Sequence, residues 1–350
     1  MPVTTPVPAE LSQACAAVRP AGPADAVAGV TPSWVARPDS TAELGAVLAA
    51  AAGLNLASVP RGTGTKLAWG RPPDRCDLVV DMLGLDQVLE HEAGDLTAIV
   101  EAGLRVRDLN ERLTEHGQML ALDPPGNPTI GACIAGNLSG PRRHRYGTAR
   151  DLVLGVTVVL ADGTIASSGG KVVKNVAGYD LGKLFCGSEG RLGLIARVAL
   201  RLHPLPEAAR TLVAPADSAR DAAEKVRAIQ RAPVVPSAVD LLWPGRLAVL
   251  FEGGRRGVDE QLGLARSLVG GSEDGSVWAE LEAQQAASRG RLLFPPGRLQ
   301  ETLAGLDQGV VRISAGVAYV PEPVADPRNP AEIALAERVR AQFDPAGMLA

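Results

Sequence analysis

Leu44, Val47, Leu48 and Ala51 recur at helical spacing behind the capped start Ser40-Thr41-Ala42-Glu43, and Gly53 closes the run. Short apolar runs predict strands at Leu56 to Val59 and Leu78 to Met82. Two more, Val88 to His91 and Leu96 to Glu101, are separated by the turn signal Ala93-Gly94-Asp95. Val106, Leu109, Asn110 and Leu113 mark an amphipathic helix ending at Gly117, and strands from Leu152 to Leu160 and from Leu194 to Leu202 flank a glycine-rich stretch. Past His203-Pro204-Leu205-Pro206 the pattern gives a helix over Ala219 to Gln230, strands at Ala238 to Leu242 and Leu247 to Phe251, and a helix over Asp259 to Leu268. A last helix, Ala331 to Phe343, follows an extended proline-rich segment from Pro321 to Pro330. Short helices and strands mixed without regular alternation predict an α+β fold rather than a doubly wound sheet.

With 350 residues the chain is long enough for two cores. The change of character at the His203 to Pro206 segment sets the boundary. The expected organisation is an N-terminal extension over 1–30, a first domain over 31–204, a smaller α+β domain over 205–320, and a C-terminal segment over 321–350 whose helix returns to the first domain. Residues 1–30 are rich in Ala, Pro and Gly, with helical spacing only around Glu10 to Val18, so the fold proper is expected to start near Trp34.

Charge and cysteine usage exclude several classes. The formal charge is −4 with Lys and Arg scattered, so nucleic acid is not an expected partner. The start, Met1 to Pro6, has no signal-peptide pattern, and no apolar run reaches the roughly 20 residues of a membrane span. A cytoplasmic protein is expected, peripheral to the inner membrane at most, and then through partners. Cys15, Cys76, Cys133 and Cys186 are isolated, which predicts reduced thiols, no metal site and no iron–sulfur cluster within this chain.

Three segments carry candidate chemistry. In Arg61-Gly62-Thr63-Gly64-Thr65-Lys66, backbone N–H groups, two Thr hydroxyls and a Lys suit a pyrophosphate, although a plain turn gives the same letters. The order is wrong for a Walker A loop, and Leu67 stands where a Rossmann fingerprint needs its third glycine. The second segment, Asp123 to Gly140, holds three prolines and then a cluster of small residues, which fits either close approach to a flat ring or tight packing of a short helix. The third runs from Gly169 through Val173-Lys174-Asn175-Val176-Ala177-Gly178-Tyr179-Asp180-Leu181 to Leu184-Phe185-Cys186-Gly187-Ser188-Glu189-Gly190 and Leu192-Gly193-Leu194-Ile195.

The order and spacing of these three segments resemble the flavin domain of the vanillyl-alcohol-oxidase type, the PCMH-type FAD-binding oxidoreductases, built from two α+β subdomains. Gly140-Pro141-Arg142-Arg143, Arg150 to Gly155 and Val173 to Leu181 are similar to the FAD-binding subunits of bacterial glycolate oxidases. The resemblance implies FAD as cofactor, with Arg61 to Thr65 on the pyrophosphate and Lys66 beside them. It implies that Ile130, Gly131, Ala135, Gly136 and Asn137 line the flavin and its ribityl chain, with Pro125, Thr129 and Gly140 of the same segment in the site. Glu189, Gly193 and Ile195 would lie by the adenine half. No His occurs in the loop from Arg61 to Gly70, so non-covalent FAD is expected, with Cys133 the one tether to check.

Related 2-hydroxy-acid dehydrogenases are implied to use clustered histidines in the second domain, yet only His91, His116, His144 and His203 exist here, and none lies beyond His203. His91 and His116 read as surface residues. The run Arg142-Arg143-His144-Arg145 is either a solvated loop or an anion site. Asp240, Trp243, Arg246, Arg298 and Arg312 are candidates to face the flavin, and periodicity assigns none of them a catalytic role; a Lys, Arg or Tyr such as Tyr319 is the alternative to a histidine base. The function implied is that of an FAD-binding subunit of a glycolate-oxidase-type complex, oxidising a small 2-hydroxy acid with a paralogous FAD-linked subunit and an iron–sulfur subunit. A stand-alone FAD-dependent oxidase or dehydrogenase and a non-catalytic scaffold are the alternatives.

Overall fold

The computed structural model describes residues 6–67, 72–170, 180–325 and 329–350, so most of the Val173 to Leu181 motif lies outside the described residues. Strands and helices are interspersed as the hydrophobic pattern predicts. Among the described residues, a four-stranded sheet runs in the order Val18–Pro20, Trp34–Ala36, Leu78–Asp81, Ser58–Arg61, with its last three strands parallel. A five-stranded antiparallel sheet follows in the order Val88–Glu92, Thr97–Glu101, Leu194–Arg201, Val153–Val159, Ile165–Gly169.

Between the two sheets lies helix Thr41–Gly53, whose Ser40 hydroxyl accepts the Glu43 N–H at 3.2 Å. Leu44, Val47, Leu48 and Ala51 of this helix share one core with Leu78, Val80, Val159 and Leu194. The anticipated face is therefore the buried face.

The folded region begins earlier than Trp34. Leu11 and Cys15 fill the same core, and Val18–Pro20 pairs with Trp34–Ala36 as an edge strand. Three residues ending in proline are too few for a two-residue alternation to register, and an edge is where a sheet tolerates proline.

After the short pairing of Gln118–Met119 with His203–Pro204, the chain enters a seven-stranded antiparallel sheet that starts at Ala208. Its centre is Ala208–Ala216, Gly245–Gly253, Ala238–Trp243, Gly309–Arg312 and Val317–Val320, in that spatial order. Two-residue alternation divides its faces. Val239, Leu241, Trp243, Val249, Phe251 and Val311 pack beneath helices Ala219–Arg231 and Arg255–Val269. Asp240, Leu242, Glu252, Val310, Arg312 and Tyr319 alternate with them and take the other face, towards the N-terminal half.

Helix Val277–Ala287 covers part of that other face and was not legible in the pattern, because its buried positions Val277 and Leu281 are continued by a polar residue, Gln285. The C-terminal helix Pro330–Phe343 packs on the N-terminal half, with the Phe343 ring edge-on to Phe185 at 5.8 Å and Arg191 paired with Glu337. The tail then inserts Leu349 into the first core, and the Ser58 N–H donates to the Met348 carbonyl at 2.7 Å.

Candidate functional site

The three glycine-rich segments converge on one crevice. A Cβ on Gly62 would lie 2.5 Å from the Thr129 hydroxyl, so the phosphate-type loop sits directly on the start of the short helix Ile130–Ala135. Gly64 has φ +76°, a backbone state that glycine adopts without strain. From the third segment, the Gly187 N–H donates to the Ile134 carbonyl at 3.0 Å and the Glu189 N–H to the Ala135 carbonyl at 2.9 Å. Gly190 meets Pro60 at the root of the first loop. Segments far apart in sequence thus share one wall.

Within this crevice the side chains divide by role. The Arg61 guanidinium is held by Asp25 at 3.0 Å and Asp81 at 3.6 Å, so this residue offers the crevice its backbone rather than its charge. Arg19, bonded to Asp25 as well, together with Arg61 keeps the Asp25 carboxyl well below the usual range. Lys66 is half-buried next to Cys133, and burial lowers its ammonium. The Thr129 hydroxyl caps the helix by accepting the Ala132 N–H.

Ile130 and Gly131 are fixed by N–H bonds to the Leu104 and Ala102 carbonyls at 2.8 and 2.7 Å, leaving the small side of the helix turned outward at Ala135, Gly136 and Asn137. Pro125 is buried beside them, Gly193 approaches the Val159 carbonyl, and Ile195 pairs with Val158 with its side chain in the core. Gly140 stands apart from the loop. A Cβ there would run into the Asp123 carbonyl, which makes it a close-packing position at the junction with the C-terminal half.

Two hydroxyls of this region lack a protein partner among the described residues. Thr63 Oγ1 and Ser188 Oγ are buried without a hydrogen-bond partner. Buried hydroxyls normally find partners, and a phosphate or ribose oxygen fits both. Ser188 was not singled out in the sequence, and its signal was its place between Gly187 and Gly190. Cys133 is fully buried in the core and burial pushes its thiol far up, which unsuits it as a covalent tether.

Residues 32–169 match the family model described as FAD binding domain. Those residues belong to the FAD-binding domain family. FAD is the cofactor of this domain, and the crevice residues fit it.

The chain is 37% identical over 221 residues to "Glycolate oxidase subunit GlcD" of Bacillus subtilis, covering 63% of this chain and 47% of that protein. It is 34% identical over 214 residues to "D-lactate dehydrogenase [cytochrome] 1, mitochondrial" of Saccharomyces cerevisiae, covering 60% of this chain and 36% of that one. The chain thus spans about half the length, or less, of these relatives. In fold it is similar to "alkyldihydroxyacetonephosphate synthase", with a TM-score of 0.70 at 18% identity over 91% of this chain and 76% of that one. The α+β architecture of a PCMH-type FAD-binding fold is thereby established for the chain.

The remaining candidates sort by burial. Asp240 and Arg312 form a buried pair at 3.1 Å, and Arg312 also donates to the Ser139 carbonyl and to Gln285, both at 3.0 Å. Arg142 pairs with the buried Glu252 at 2.7 Å, and Arg145 donates to the Glu252 carbonyl at 2.6 Å. Arg142 and Arg145 of the basic run thus clasp the two halves together.

Trp243 donates inward to the Leu306 carbonyl, Arg246 pairs with Glu280, and Arg298 is exposed beside Glu301. His91 and His116 stack edge-on at 4.7 Å near the edge of the five-stranded sheet, away from the crevice. Among the described residues, no His, Cys, Asp and Glu groups come together as a metal set, and no helix is long and apolar enough to cross a membrane.

Proposed function

We propose that this chain is an FAD-carrying subunit of a glycolate-oxidase-type complex that oxidises a small 2-hydroxy acid, glycolate to glyoxylate, together with a paralogous FAD-linked subunit and an iron–sulfur subunit. The observation that carries the reading is the crevice with its two stranded hydroxyls, Thr63 and Ser188, in a domain whose relatives include a glycolate oxidase subunit and D-lactate dehydrogenases. D-lactate is supported as a substrate as well as glycolate is.

Bound FAD supplies two-electron acceptance with one-electron release, chemistry that no side chain here offers. The chain's own part is positional. The Arg61 to Thr65 backbone and the Thr63 hydroxyl would hold the pyrophosphate, with Lys66 adding charge. The small residues Gly131, Ala135 and Gly136 would let the backbone approach the ring, and Ser188 with Glu189 would serve the nucleotide end.

An iron–sulfur partner is inferred from the likeness to glycolate oxidase subunits, and the isolated cysteines of this chain agree with it in offering no cluster ligands of their own. A paralogous FAD-linked partner is inferred from the same likeness, and the lack of histidine beyond His203 supports it, since removal of a hydroxyl proton needs a positioned base. A cytoplasmic setting, with membrane contact through these partners, belongs to the same proposal.

Purification at native expression, followed by acid denaturation, tests the reading. A yellow chain that releases all its flavin as free FAD and brings a second flavoprotein and an iron–sulfur protein with it is the expected result. A colourless chain, or flavin that stays with the denatured polypeptide, contradicts it.

A further inference from the structure

Helix Val277–Ala287 of the C-terminal half turns two side chains, about one helical turn apart, towards the segment Asp123 to Gly140 that lines the crevice. Glu282 Oε1 accepts the Gly126 N–H at 3.1 Å. Gln285 Oε1 accepts from Arg312, whose guanidinium donates in turn to the Ser139 carbonyl, both at 3.0 Å. One helix of the C-terminal half thus ties this segment near both of its ends.

The Gly126 tie falls on a turn that bears on the phosphate loop. Pro124 and Pro125 are buried ahead of it, and Gly126 and Asn127 have φ of +82° and +47°. The left-handed state of Asn127 costs a non-glycine residue energy unless surrounding contacts sustain it. Asn127 Oδ1 accepts the Arg107 N–H at 3.0 Å on one side, and Glu282 accepts the Gly126 N–H on the other. A Cβ on Gly126 would lie 3.5 Å from the Thr65 methyl, so the turn rests against the phosphate loop.

The helix can serve as a fixed support because its other side is anchored. Val277 and Leu281 share a core with Leu242, Val310 and Tyr319, and the Trp278 indole donates to the Thr211 hydroxyl at 2.8 Å. A loop already held in its binding shape does not have to be ordered when the ligand arrives, which strengthens binding. We propose that Glu282 is a positioning residue for FAD, which through the Gly126 N–H holds the Pro124 to Asn127 turn against Thr65 and so lets the C-terminal half keep the phosphate loop in shape. This role needs only FAD as the cofactor and is independent of substrate and partner subunits.

Equilibrium dialysis of the FAD-loaded full chain, with amide exchange over 123–129 followed by mass spectrometry, tests the role. Glu282 is exposed, so its replacement leaves the core intact. Glu282→Ala should raise the FAD dissociation constant about fivefold or more and speed exchange across the turn. Glu282→Gln keeps an acceptor oxygen and should recover most of the loss. Glu280→Ala, on the same helix but paired with Arg246, should bind FAD like the parent.

Parent-like FAD affinity in Glu282→Ala, equal weakening in Glu280→Ala, or a Glu282→Gln variant as weak as Glu282→Ala overturns the role, as does a parent chain that holds no FAD. If Glu282→Ala cannot be loaded with FAD at all, failure of Glu282→Gln to restore loading overturns it instead.

Discussion

Asp240 and Arg312 stand directly opposite each other on neighbouring antiparallel strands, 3.1 Å apart and each about 1% exposed, and through Arg312 the pair reaches the Ser139 carbonyl of the N-terminal half. Cross-strand register makes the pair, and its place on the inward face makes it a joint between the halves. Burial raises the Asp240 carboxyl against the pull of Arg312, so the charge is sustained by its partner.

Removing one member should therefore cost more than removing both. Arg312→Met should lower unfolding stability by about 3 kcal/mol, because Asp240 is left buried and alone, while Asp240→Leu/Arg312→Met should recover part of that loss. Urea unfolding of the two variants checks this, and a double variant less stable than the single one would refute it.

Asp123 gives the fold a pH dependence of defined sign. Desolvation pushes its carboxyl up to about 6, against the pull of Arg142 and Arg312. The usual unfolded value is about 3.9, so between these values the folded state binds the extra proton, and Asp123 costs stability as pH rises from about 4 through 6. Asp123→Asn should remove that slope, so that its stability relative to the parent increases from pH 4 to pH 7 by on the order of 2 kcal/mol. A difference that stays flat across this window would show that Asp123 is not desolvated.

Gly64 tests the phosphate loop. A Cβ there meets only Leu67, at 3.7 Å, so space is not the obstacle and the φ of +76° is. Gly64→Val should strain the loop by about 1–3 kcal/mol and abolish FAD retention while the C-terminal sheet stays folded. A variant as yellow as the parent would remove the loop from the cofactor site.

Most of what positions the crevice was legible because it is local. Ser40 with Glu43, the Ala93-Gly94-Asp95 turn and the spacing of Leu44 to Ala51 all have nearest-neighbour causes, and the fold follows them. The pyrophosphate loop was legible only as glycine and threonine. That it rests on Thr129 and shares a wall with Gly187 to Gly190 depends on contacts far apart in sequence.

The junction was the least legible part. Asp240 sits in the apolar run Ala238 to Trp243, and Arg312 follows Val310 and Val311, so each is visible as an oddity, but their register is set by strands Gly309–Arg312 and Val317–Val320, which were not predicted. The run Arg142 to Arg145 left a solvated loop and an anion site both open, because Glu252, far away in the sequence, is what holds it.

Anaerobic stopped-flow mixing with glycolate, following the flavin band of the isolated FAD-loaded chain beside that of the native complex, tests the central claim most directly. With no histidine beyond His203 to take the hydroxyl proton, the isolated chain should be reduced at least about a hundredfold more slowly than the complex turns over. Reduction of the isolated chain at the rate of the complex would contradict the subunit role and place the whole reaction in this chain.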